Sequence, residues 1–218
     1  MRLLDEIVGG ATSSGTPVAD LLRQCLVLAY RLKNARLKEW CKAELDGYPD
    51  GSELPEYRKG VAHSYGLMVG PFGARIDRQP LALGLVEEKH RSFLMEICWQ
   101  EPIAQLEAML KIESDEIVAA WPADLVAYYQ SRFIKGFALN RAWKSIPKNA
   151  IVAICDVVRS RILLFALELS EEVGDAESPL ERISGREVEA KVTNIIFGGQ
   201  NIIGSQVAGS VHQAGGET

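Results

Sequence analysis

A helix-dominated α+β fold is what this sequence predicts, and three observations carry the prediction. Two stretches near the start and one long stretch past residue 147 repeat apolar residues at three- and four-residue steps, the helical period. Between them, residues 48–80 hold Pro49, Pro55, Pro71 and Pro80 among recurrent glycines, the punctuation of short strands and turns. Residues 192–213 carry no Asp, Glu, Lys, Arg or Pro, and Gly199, Gly204 and Gly209 recur there every five residues. The expected organisation is one helical domain with a small irregular β region over residues 1–170. A polar linker or weak helix over 171–191 and a short glycine-paced, β-forming tail over 192–218 complete it.

Taken in order, Leu3, Leu4, Ile7 and Val8 form a first apolar stripe, closed by Gly9-Gly10. Thr16-Pro17 reads as an N-cap with Pro opening a helix that carries Leu21, Cys25, Leu28 and Leu32. A second helix from about Ala35 to Leu45 turns Leu37, Trp40, Cys41 and Leu45 inward, and Gly47 then Pro49 stop it. Extended runs fit 61–65, 66–69 and 74–76. Helices return at about 86–97 and 102–111, a strand fits 116–121, and Pro122 opens a short helix to Tyr129. Residues 133–140 have no clear period. The longest helix is expected over about 147–170, where Ile151, Ile154, Val158, Ile162, Phe165 and Leu169 line one face.

Composition bounds the function. The chain has 218 residues, 47% of them hydrophobic, which suits a globular core. A net charge of −5 gives no global pull toward nucleic acid or anionic lipid. No apolar run approaches the roughly 20 residues of a membrane span, and the start MRLLDEIVGG lacks a signal peptide's apolar stretch. The expected location is the cytoplasm. Cys25, Cys41, Cys98 and Cys155 are single and widely spaced, and His63, His90 and His212 are the only histidines, so no zinc-site spacing exists. No metal or cofactor is expected, and each cysteine is expected to be a small buried hydrophobe in a helix.

The tail is too short to bury its own β-branched side chains. Ile and Val favour extended backbone, and Asn and Gln ladder when like segments stack. The expectation is self-association across chains, as a closed trimer-like bundle or an open stack, with Ile195, Ile196, Phe197, Ile202, Ile203, Val207 and Val211 as the joining residues. A pair of strands docked on the preceding domain and a loose end are the other readings.

A set of local sequences then carries a resemblance. Leu21-Leu22-Arg23 and Leu26 to Leu32 are followed by Leu37-Lys38-Glu39-Trp40, Glu44-Leu45 and Gly47-Tyr48. Leu54-Pro55-Glu56-Tyr57-Arg58, Ile103 to Glu107, Trp121 to Val126, Ala142-Trp143 and Ile154 to Glu168 complete it. This series, in this order over residues 1–169, resembles the AbiTii domain family, named for abortive infection, a bacterial response to phage. Ser160 stands where a polar Asn is expected. Family members often carry a Gly- and Asn-rich tail, to which residues 192–213 are similar. The resemblance implies a bacterial, cytoplasmic protein of phage defence and brings no enzymatic motif with it.

Candidate sites are few. Arg58 is expected to pair with Glu44 or Asp156 and clamp the β region to the helices; the alternative is an arginine gripping a phosphate or carboxylate ligand. Asp156 and Arg159, three apart on the long helix, can face each other. Gly47 reads as a positive-φ C-terminal residue and Tyr48 as a packing side chain. Arg23, Arg31, Lys33, Arg36 and Lys38 give the hairpin a basic side, either a solvated face or a nucleic-acid contact. No converging carboxylates suggest a nuclease, and Gly70-Pro71-Phe72-Gly73 lacks the ending of a phosphate loop. The function expected is a non-enzymatic defence component whose helical domain senses an infection cue or binds a phage or host protein while the tail assembles the chains. The alternatives are a toxin-like enzyme around Glu44, Arg58 and Asp156, and a nucleic-acid binder using the basic hairpin face.

Overall fold

The computed structural model describes residues 2–173 and 183–198. Helix α1 (Arg2–Thr12) is followed by the hairpin of α2 (Val18–Arg31) and α3 (Ala35–Asp46). A 3₁₀ turn at Glu56–Arg58 leads to strands β1 (Lys59–Val61), β2 (His63–Val69) and β3 (Arg75–Pro80). Then come α4 (Glu88–Met95), β4 (Glu96–Cys98), α5 (Ile103–Met109), β5 (Glu116–Ala120) and α6 (Ala123–Tyr128). Strand β6 (Ala138–Pro147) enters the spine helix α7 (Asn149–Val173), and α8 (Gly185–Lys191) runs into a π-helical turn at Val192–Ile196. The fold is α+β and dominated by helix, as the sequence predicts.

Two apolar cores explain the layout. The larger packs α1, α2, α3, α5 and α7 around Leu21, Leu28, Leu37, Ile154, Val158 and Phe165. These are the residues that the helical period selects, and they are held by packing rather than by propensity. The smaller lies on the four-stranded antiparallel sheet, in the order β3-β2-β6-β5, and gathers Met68, Leu94, Trp121, Tyr129 and Leu139. A separate pair, β1 with β4, joins the two regions.

Several expectations change. Gly9-Gly10 does not end α1, which runs to Thr12. A Cβ at Gly10 would stand 2.8 Å from Leu21 Cδ2, so the glycine lets α2 approach. At the start of α2, the orphan N–H groups of Val18 and Ala19 donate to the Glu107 carboxylate at 2.7 and 3.3 Å, and Thr16 provides no cap. Strand β2 runs unbroken through Gly66. Strand β6, in the centre of the sheet, covers part of the aperiodic stretch; it pairs with β2 from His63↔Ser145 to Val69↔Ala138 around a bulge.

The cysteines divide. Cys25 and Cys41 are buried in the hairpin, and Cys155 is buried on α7, but Cys98 is exposed on β4 rather than buried in a helix. A hydrogen bond with Cys25, together with burial, pushes the Cys41 thiol far up. Burial likewise lifts Cys155 to about 11.

The largest correction concerns the C-terminal part. Over 171–191, where a linker or a weak helix is expected, the structure has α8, started by a capping box in which Ser184 and Glu187 satisfy each other's N–H groups. Residues 192–196 are helical, not extended. Val188, Val192 and Ile196 fall on one face and are fully buried in the main core. Burying these three is the physical reason that the backbone here winds rather than extends.

Candidate functional site

The site is built where the hairpin meets the β region. Glu44 follows Leu37, Trp40 and Cys41 on the buried face of α3. Gly47 closes the helix with φ 89°, and a Cβ there would stand 2.8 Å from Gln100 O. Tyr48 N–H then donates to that same carbonyl at 2.8 Å. Pro55 fixes the entry to the 3₁₀ turn that carries Tyr57 and Arg58.

Glu44 and Arg58 are both 0% exposed and form an ion pair through Arg58 Nη2 and Glu44 Oε2. Arg58 Nη1 donates to Trp99 O at 3.1 Å and Glu101 O at 2.6 Å, carbonyls just beyond β4. The hydroxyls of Tyr48 and Tyr57 both donate to Glu44 Oε1 at 2.6 Å, and Trp40 Nε1 donates to the Tyr57 hydroxyl at 3.0 Å. Burial, with the Glu44 charge beside them, pushes both tyrosine hydroxyls well above their ordinary value. The carboxylate thus has three donors and is closed off from solvent. It holds helix, turn and strand in one arrangement, which is the structural pairing expected of Arg58.

Asp156 does not join this cluster; it is exposed on α7. Arg159 turns away from it and donates to Gly10 O, Ser13 O and Thr16 O at 3.3, 2.9 and 2.5 Å, tying the α1–α2 loop to the spine. Three carbonyls outcompete one exposed carboxylate. The basic side of the hairpin is also partly engaged. Arg23 pairs with Asp20, Arg36 pairs with Glu189, and Lys38 lies over the Tyr30 ring.

Beside the buried pair opens a cleft of about 720 Å³, lined by Arg36, Trp40, Tyr48, Leu54, Arg161 and Phe197 among others. Its outer wall is the end of the docked C-terminal segment. Arg161 donates to Ile196 O at 2.5 Å and stacks over the Tyr57 ring at 4.4 Å. Arg36 reaches Thr193 Oγ1 at 2.7 Å and lies over the Phe197 ring at 4.5 Å. Sequence reasoning named Arg36 only for the hairpin's basic side and missed Arg161 as a site residue, because their partners in the C-terminal segment lie 157 and 35 residues away.

The assembly candidates are split by the structure. Ile196 is buried in its own chain, Ile195 is half-buried, and Phe197 is partly exposed beneath Arg36. Ile202, Ile203, Val207 and Val211 lie outside the described residues. Among those described, no three His, Cys, Asp or Glu side chains gather as a metal site, and no helix is long and apolar enough to cross a membrane. A family model described as AbiTii matches residues 2–194. Neither the curated proteins nor the solved structures gave a match.

Proposed function

This chain belongs to the AbiTii family, whose context is abortive infection, and from that premise we propose that it is a non-enzymatic defence component. The folded body receives an infection cue in the cleft beside Trp40, Tyr48 and Arg161, and the chain beyond Gly198 assembles copies of the protein. Clustering then multiplies weak contacts.

The observation that carries this reading is the shared wall. Ile196, Phe197 and Gly198 line the cleft and belong to the uncharged stretch 192–213, directly before its glycine-paced part. A cue that contacts the wall also contacts the base of the tail. The full enclosure of Glu44, held by Tyr48, Tyr57 and Arg58, supports a binding body over an enzyme that needs an accessible carboxylate.

Light scattering on the full chain and on a chain ending at Gly198 tests the assembly. The full chain is expected to have a multiple of the single-chain mass, and the shortened chain a smaller one with unchanged circular dichroism. Equal masses for the two would end the proposal. Stopping after Ser170 is not a clean test, because it removes the buried Val188, Val192 and Ile196.

A further inference from the structure

The two edges of the four-stranded sheet are not alike. On β3, Arg75, Asp77, Arg78 and Pro80 guard the rim with charge and a missing donor, the usual defences of an edge strand. On β5 the sequence is Glu116-Ile117-Val118-Ala119-Ala120, with no Lys, Arg or Pro. The ladder geometry shows which peptide groups are free. Trp121 N–H donates to Ala142 O, and Lys148 N–H donates to Asp115 O, so the odd-numbered residues of β5 face β6. The N–H and C=O of Val118 and Ala120 point away from the sheet, where no described strand pairs with them. Val118 is 59% exposed.

We propose that this open edge of β5 is the receptor for the tail of a second copy, which adds residues 201–207 as a further antiparallel or parallel strand. This rests on the assembly reading above and names its acceptor. The occupant is argued from chemistry on both sides. The outer groups of β5 need backbone partners and accept small or β-branched neighbours, as in strand addition generally. Residues 199–213 offer backbone unbroken by proline, no charge to desolvate, and Ile202, Ile203 and Val207 at strand-compatible spacing.

The assembly reading makes the donor a partner copy, and the tail leaves the body well along α7. A Cβ at Gly198 would stand 3.6 Å from Arg161 Nη2. Arg161 lies twelve residues along α7 from Asn149, about 18 Å at the helical rise, and β5 begins opposite Pro147, just before that helix starts. Ile202 is four residues past Gly198 and extends at most about 14 Å from it. Tail-to-edge joining is heterologous, so it closes into a ring if the rotation allows and otherwise grows as a fibre.

The test uses full-length chains. Val118→Lys places a charge on the acceptor edge, and Ile202→Asp places one in the donor. Each alone is expected to fall to the mass of a single chain in light scattering, and a 1:1 mixture is expected to recover the mass of two, since each supplies what the other lacks. Val118→Thr, which keeps a β-branched side chain, is expected to retain the wild-type mass. Circular dichroism checks folding, and Ala120→Lys serves if Val118→Lys is unfolded. If Val118→Lys stays assembled while Ile202→Asp does not, tails join tails: the acceptor is wrong and the assembly reading stands. Failure of the mixture to recover mass overturns the head-to-tail contact. A wild-type chain that is already single overturns both.

Discussion

Glu44 and Arg58 show how much one buried pair can depend on its neighbours. Taking away one member leaves the other charged and dry, a situation that typically costs about 3–5 kcal/mol. Arg58→Met and Glu44→Ala are each expected to lower stability in urea titration by roughly that amount, and changing both to apolar residues of similar size is expected to recover a large part. Phe72 is a different case. It sits fully exposed at the tip between β2 and β3 with φ 57°, a conformation that L side chains other than Asn and Asp resist. Phe72→Asn is expected to raise stability by about 1 kcal/mol, read by thermal unfolding. Glu116 provides the acid response. Hydrogen bonds from Arg78, then Ser145, hold its carboxyl down at about 2, below an ordinary value of 4.5. The folded state thus favours the ionised form. Its contribution is fully present above about pH 4.5 and is lost as the pH falls toward 2. Glu116→Gln is expected to flatten that part of a stability-versus-pH curve.

Helix α8 is the element whose attachment can be weakened without touching the rest. Ser184→Ala removes half of its capping box and is expected to cost about 1 kcal/mol locally. Amide exchange should quicken over residues 185–196 and stay unchanged in α2 and α7. The helices differ in how plainly the sequence announces them, and the reason is physical. In α2, α3 and α7 one face is buried along the whole length, so the period is written in consecutive residues. Glu44 continues the row of Leu37, Trp40 and Cys41 and is buried, whereas Leu45, expected inward, is only half-buried. Helix α8 and its π-turn bury only Val188, Val192 and Ile196, three residues in twelve, against a groove formed by elements from elsewhere in the chain. The β-branched residues there favour strands locally, and tertiary packing overrides that preference. Strand β6 is hidden for the opposite reason: it is central, and Asn140, Arg141 and Lys144 interrupt its apolar pattern.

At the scale of the molecule, the two cores meet through β1, β4 and the cluster around Glu44. The helical part and the sheet are therefore expected to unfold together, with one transition by both tryptophan fluorescence and circular dichroism. Two separate transitions would mean that the clamp does not couple them. The cysteines add a practical consequence. Three of the four are enclosed, and for two of these the thiolate is strongly disfavoured, while Cys98 faces water from β4. A maleimide dye added to the native, unmutated chain should therefore label one known position on the outside of the body. Energy transfer between chains carrying donor and acceptor dyes would then report how far apart neighbouring bodies stand in whatever particle they build.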